Sequence, residues 1–233
     1  MDDLLDRCLS GNRPLGRALR WPLGLLPSSL TLPILSGPAR GCRWRLGSTM
    51  RRAWVGVYDR AILAAVLPHI PLGSVVFDLG AHAGYYTLAR LSKAGHVYAF
   101  EPNPSDLTQH VAMNHLESRV TIYPVAVGAQ SGSGFLSQDD DPSVRHIAFA
   151  GDPVRIVALD DIDLPDPVFI KMDIEGAEEE ALLGMAKLIQ RARPPADRLP
   201  RRRRQTAYSR VAFRAAVRDE IGQTARHTAR TSH

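Results

Sequence analysis

Two short apolar runs, each closing on a turn signal and each followed by a helical stretch, constrain this chain most. SVVFDLG (74–80) ends on Asp78 and Gly80 and leads into YYTLARLSKAG, a helix that Gly95 is expected to cap. HVYAFEP (96–102) ends on Glu101 and leads into PSDLTQHVAMNHLES, with Ser105 as the expected N-cap. RVTIYPVAVG reads as a third strand, and VRIVALDDI and VFIKMDI as two more. AEEEALLGMAKLIQRA follows as one helix. Continuous apolar strands alternating with helices predict an α/β fold, a doubly wound and mostly parallel sheet covered on both faces. Upstream, a helix is expected from about Tyr58, with Tyr58, Ile62, Ala65 and Val66 on one face and Pro68 as its stop. Little regular structure is predicted for residues 1–50.

Ligands on such sheets lie beyond the carboxyl ends of the strands. Asp78, Gly80 and Gly84 fall at the first strand-to-helix turn, where glycines allow a close approach and free N–H groups favour a negative group. A nicotinamide fingerprint needs a glycine two residues after Gly80, and His82 stands there. Glu101 follows roughly 20 residues on, the place of an acid that accepts ribose hydroxyls. Each such charge-assisted bond contributes roughly 1.5–3 kcal/mol. The alternative is a tight turn with an exposed glutamate. His82 reads as a local hydrogen-bonding residue of the turn rather than a catalytic one.

FIKMDIEGAE (169–178) then places Asp173, Glu175 and Glu178 together where a buried strand ends, although like charges so close repel. Such carboxylates serve as a base, as acceptor-binding groups, or as ligands of Mg²⁺ or Ca²⁺, the metal being possible but not favoured. Glu179 and Glu180 are explained by the helix dipole. Lys171 moderates the repulsion or points into solvent.

Taken in order, FDLGAHAGYYTL, VYAFEPNP, VALDD and IKMDIEGAE resemble the FkbM family of S-adenosylmethionine-dependent methyltransferases. The lead-in SGPARGCRWRLGS…WVGVYD is similar too, with Asp59 where a glutamate is common. The resemblance spans roughly residues 36–195. It implies a class I, Rossmann-like methyltransferase that moves a methyl group to a hydroxyl of a sugar, lipid-linked sugar or secondary metabolite. It also implies S-adenosylmethionine as cofactor, with Asp78, Gly80 and Gly84 around its methionine part. Glu101 and Asn103 would lie at the ribose, and Ala126 and Val127 at the adenine. By the same resemblance Asp173, Glu175 and Lys171 are candidate catalytic residues, and Glu178 and Asp161 candidate acceptor-binding residues. Asp160 and Asp161 together match the family's LDD.

The expected organisation is an N-terminal extension (1–50), a methyltransferase domain (51–195) and an Arg-rich tail (196–233), disordered or one helix. The tail lacks the apolar strand and hairpin that should complete such a sheet, as a frame change near Pro195 would explain. Hence the alternative reading, a truncated non-catalytic remnant retaining part of the cofactor site. Residues 1–190 carry 17 Lys and Arg against 21 Asp and Glu, and residues 191–233 carry 12 against 3, so the net charge of +5 belongs to the tail. No stacking motif accompanies RRRR (201–204), which argues against a nucleic-acid partner; a small-molecule or glycan acceptor is expected. QDDDP (138–142) reads as a solvated loop. Cys8 and Cys42 form no framework, the start is acidic, and prolines interrupt WPLGLLPSSLTLPIL. These features predict a cytoplasmic protein without a transmembrane segment.

Overall fold

The computed structural model describes residues 27–137, 147–148, 150–174 and 176–192. The strands are β1 (Thr31–Pro33), β2 (Arg43–Arg45), β3 (Val75–Leu79), β4 (His96–Phe100), β5 (Val120–Tyr123), β6 (Ala126–Val127), β7 (Gly132–Leu136), β8 (Ile147–Ala148), β9 (Asp152–Val157) and β10 (Phe169–Met172). The helices are α1 (Arg60–Val66), α2 (Tyr85–Arg90), α3 (Ser105–Met113), α4 (Glu178–Leu183) and α5 (Ala186–Ala192). The tail at 196–233, most of the N-terminal extension and QDDDP at 138–142 lie outside the described residues.

The central sheet runs β10-β3-β4-β5, and every pairing is parallel. Parallel neighbours need crossovers, and these place helices on both faces. One face carries Val76, Val97 and Ala99 against α1, α2 and α3. The other carries Phe77, Leu79, Phe100, Ile170 and Met172 against α4 and α5. Fully burying each such large side chain contributes roughly 1.5–3 kcal/mol. The expected doubly wound fold is therefore present.

Four local expectations fail, each for a tertiary reason. The third run breaks at Pro124, which has no N–H for the ladder: β5 stays in the main sheet, while β6 pairs parallel with β9 in a second sheet. VRIVALDDI is thus not in the parallel sheet; β9 lies in that second one, antiparallel to β7. The last helix is broken in two at Gly184, whose carbonyl accepts from Asp160 N–H at 2.8 Å, and where a Cβ would lie 2.0 Å from the Gly128 carbonyl oxygen. Asp160 restarts it by accepting from the Lys187 and Leu188 N–H groups at 2.9 and 2.8 Å. Helix α2 stops at Arg90, and Gly95 does not cap it. The Arg119 guanidinium instead donates to the Leu91 and Ala94 carbonyls at 2.8 and 2.7 Å. Gly95 meets the Gly73 backbone, 2.5 Å from where a Cβ would sit.

Two boundaries also move. Pro104 occupies the cap position of α3 with no side-chain bond, making Ser105 the first helical residue. Helix α1 opens at Arg60, after Asp59 at φ 45°. Residues 27–50 hold an unforeseen antiparallel ribbon, Thr31–Pro33 with Arg43–Arg45. Its Ile34 and Trp44 join the same core as the central sheet. Two three-residue strands show no readable alternation, so the sequence hides them.

Candidate active site

The strand registers assemble one row at the carboxyl edge of the sheet. Met172 and Phe100 both pair with Leu79, so Asp173 and Glu101 each emerge beside Gly80. They flank it one strand spacing away on either side, so their own backbones stand roughly 10 Å apart. The turn after β3 is pinned to β4: Gly80 and Ala81 N–H both donate to the Phe100 carbonyl, at 2.9 and 3.2 Å. Asp173 N–H donates to the Leu79 carbonyl at 3.1 Å.

Glu101 is held by two backbone donors. His82 N–H reaches Oε2 at 2.7 Å and Asn103 N–H reaches Oε1 at 3.1 Å. A carboxylate has about four lone-pair sites, so two remain for a ligand. Those free acceptor sites suit a pair of neighbouring hydroxyl donors, as on a ribose. His82, at φ 50°, contributes through its backbone, and Asn103 does the same while its side chain is exposed.

The glycines of the turn are explained by the protein itself. A Cβ on Gly80 would lie 1.9 Å from the Asp173 carbonyl oxygen, and one on Gly84 would lie 2.5 Å from Leu107 Cδ1. Both have positive φ, 71° and 88°. Gly176 differs: at φ 90° a Cβ there would meet no atom within 4 Å among the described residues, so its conformation rather than crowding selects glycine.

Beneath the turn lies a buried polar network that sequence reasoning missed. Asp78 is fully buried; Oδ2 accepts from Thr87 Oγ1 at 2.7 Å and Oδ1 lies 3.3 Å from Lys171 Nζ. Lys171 does not point into solvent, one of the two places expected for it. It is 4 % exposed and donates to the Gly80 carbonyl at 2.6 Å. Arg90 is also fully buried, between the rings of Tyr86 at 4.8 Å and Phe169 at 5.2 Å. Its guanidinium makes no hydrogen bond among the described residues. Burial lowers its pKa, opposed by the charge of Asp78. Tyr86 donates to Asp59 Oδ2 at 2.5 Å, and burial followed by that bond pushes its pKa up. The readable signal was a Thr and an Arg inside an otherwise apolar YYTLAR helix.

Other predicted residues lie elsewhere. Ala126 and Val127 form β6, buried and paired with Ile156 and Val157. Asp161 sits off the Glu101–Gly80–Asp173 row, in the turn after β9, where its Oδ2 accepts from Ser131 Oγ at 2.6 Å. Glu178 opens α4 with Glu179 and Glu180 in the same first turn. Glu175 lies outside the described residues. Among the described residues, no cluster of His, Cys, Asp or Glu is placed to hold a metal ion, and no helix is long and apolar enough to cross a membrane.

Residues 78–196, just over half of the chain, match the model of the methyltransferase FkbM domain. The chain belongs to the FkbM methyltransferase family. Hexuronic acid methyltransferase AglP of Haloferax volcanii is 27% identical over 141 residues, 57% of this chain and 58% of that protein. The chain thus spans less than two thirds of that relative's length. The crystal structure of methyltransferase FkbM from Methylobacillus flagellatus KT aligns at 24% identity, over 52% of this chain and 31% of that one, with a TM-score of 0.39. The matched FkbM segment opens at Asp78 and takes in both carboxylates of the row, Glu101 and Asp173.

Proposed function

We propose that this chain transfers the methyl group of S-adenosylmethionine to a hydroxyl of a sugar or sugar-bearing acceptor. The observation that carries this reading is Glu101: a carboxylate fixed by two backbone donors beside the glycine turn, with lone pairs left for a ribose. Membership of the FkbM family supports the reaction class. The name of the Haloferax volcanii relative supports a sugar as acceptor.

Bound there, S-adenosylmethionine would supply an electrophilic methyl group on a sulfonium. Glu101 takes the ribose hydroxyls, with Asn103 fixing the carboxylate and Ala126 and Val127 offering apolar surface to the adenine. The turn from Gly80 to Gly84 borders the methionine part, supported from below by Asp78. Asp173, next in the row, accepts the proton of the acceptor hydroxyl or orients it. Glu175 and Glu178 hold other acceptor hydroxyls, and Asp161 supports that side. Lys171 acts by holding Gly80 and Asp78, which fixes the height of the turn against β10.

The test is calorimetry with S-adenosylmethionine on the full chain and on Glu101→Ala, followed by transfer of labelled methyl to neutral and uronic-acid glycosides. Saturable binding that weakens about tenfold or more in the variant is expected, as loss of at least one charge-assisted bond gives. Label should survive mild base, as an ether does. Binding unchanged in Glu101→Ala would overturn the cofactor site. Label released by mild base would move the acceptor from hydroxyl to carboxylate.

A further inference from the structure

Helix α3 carries Asp106 and His110 on one stripe, which Asn114 continues just past its end at the same four-residue spacing. All three bond the N-terminal ribbon. Asp106 accepts from Arg45 Nη2 at 2.5 Å and from the Thr49 N–H and Oγ1 at 2.8 and 3.1 Å. His110 Nε2 accepts from Arg45 N–H at 3.1 Å. Asn114 accepts from Arg43 N–H at 2.7 Å and donates to the Arg43 carbonyl at 2.9 Å. The stripe thus serves the outer edge of β2 as a neighbouring strand would.

His110 alone of the three also reaches the glycine turn. Its Nδ1 donates to the Ala83 carbonyl at 2.8 Å. The ring is fully buried and stacked on Trp44, 3.8 Å between centroids and 13° between planes. A carbonyl on one side requires a donor, and an N–H on the other requires an acceptor. Only a neutral imidazole protonated at Nδ1 supplies both. The charged groups facing it are Arg45 from the ribbon and Asp106 from its own helix; the turn presents a carbonyl.

We propose that His110 is a positioning residue: as a neutral imidazole it ties the ribbon to the glycine turn, so that the seating of the ribbon sets where the turn stands. Its consequence for cofactor binding rests on the S-adenosylmethionine reading above; the tie itself does not.

The test uses the full chain with His110→Asn and His110→Gln. The shorter amide replaces the Nδ1 donor to Ala83, and the longer one replaces the acceptor for Arg45. In His110→Gln, amide exchange at His82 and Gly84 should accelerate about tenfold with Arg45 still protected, as loss of one hydrogen bond gives. In His110→Asn the pattern should reverse. S-adenosylmethionine affinity should fall about tenfold in the Gln variant only. Equal effects of both variants on the turn amides, or none, would reduce His110 to packing and overturn the proposal. If the wild type binds no S-adenosylmethionine, the cofactor reading fails while the exchange contrast still decides the tie. If neither variant folds, nitrogen NMR of the wild-type ring decides: an imidazolium, or a proton on Nε2, near neutral pH overturns the proposal.

Discussion

Gly80→Ala isolates the contact on which the row of site residues depends. At φ 71° an alanine costs roughly 1–2 kcal/mol in backbone strain. Its Cβ would also stand 1.9 Å from the Asp173 carbonyl oxygen, a backbone atom that no rotamer change can move. Pushing the two strand ends apart strains the Asp173 N–H bond to Leu79 and adds roughly 1–3 kcal/mol, the usual cost of overpacking. The total, about 3 kcal/mol, corresponds to a fall in Tm of roughly 6–12 °C for a domain of this size. Gly176→Ala is the control, because at φ 90° it has strain but its Cβ would meet no atom within 4 Å among the described residues. Its loss should stop at roughly 1–2 kcal/mol. The assay is thermal unfolding by circular dichroism, read beside methyl transfer at a temperature where both variants are folded. Gly80→Ala should also lose turnover beyond its stability loss, because Asp173 moves relative to Glu101. Equal melting of the two variants would refute the argument, since the contact would then contribute nothing.

Three further outcomes are expected. Asp173→Asn should abolish methyl transfer while S-adenosylmethionine affinity, by calorimetry, stays within about twofold, as for a group acting only on the acceptor; unchanged turnover would remove Asp173 from the chemistry. Lys171→Met leaves the Asp78 carboxylate buried without its lysine and should lower stability by about 3–5 kcal/mol in urea unfolding; a loss under about 1 kcal/mol would show that Arg90 alone suffices for Asp78. Stability should also fall on mild acidification. Burial, first of all causes, holds the folded-state pKa of His110 and of His96 below the ordinary value near 6.5, so their contribution is complete above about pH 6.5 and is lost as pH falls through the depressed values. Melting curves between about pH 8 and 5 check the sign, and His110→Gln should flatten the decline.

The sequence by itself determined the α/β alternation and the edge at which a ligand site must form. SVVFDLG and HVYAFEP are local patterns, each a buried strand closing on its own turn, so no distant contact was needed to read them. Glu101 was visible for the same reason, and IKMDIEGAE could be placed on that edge once the strands were taken as parallel. What only the tertiary structure decided depends on partners far along the chain. Lys171 faces the interior because its strand pairs with β3, putting Nζ on Asp78 and Gly80 some 90 residues upstream. The long C-terminal helix breaks at Gly184 because Asp160, from the turn after β9, takes the Gly184 carbonyl and caps the N–H groups of the next turn. The run at 119–128 divides at Pro124 because its second half finds another sheet. His110 looked like one polar residue on an amphipathic helix, and nothing local announced that Arg45 and Ala83 would meet on its two nitrogens. Periodicity reports which face of an element is buried, whereas the identity of the group across the interface is settled only when the whole chain has packed.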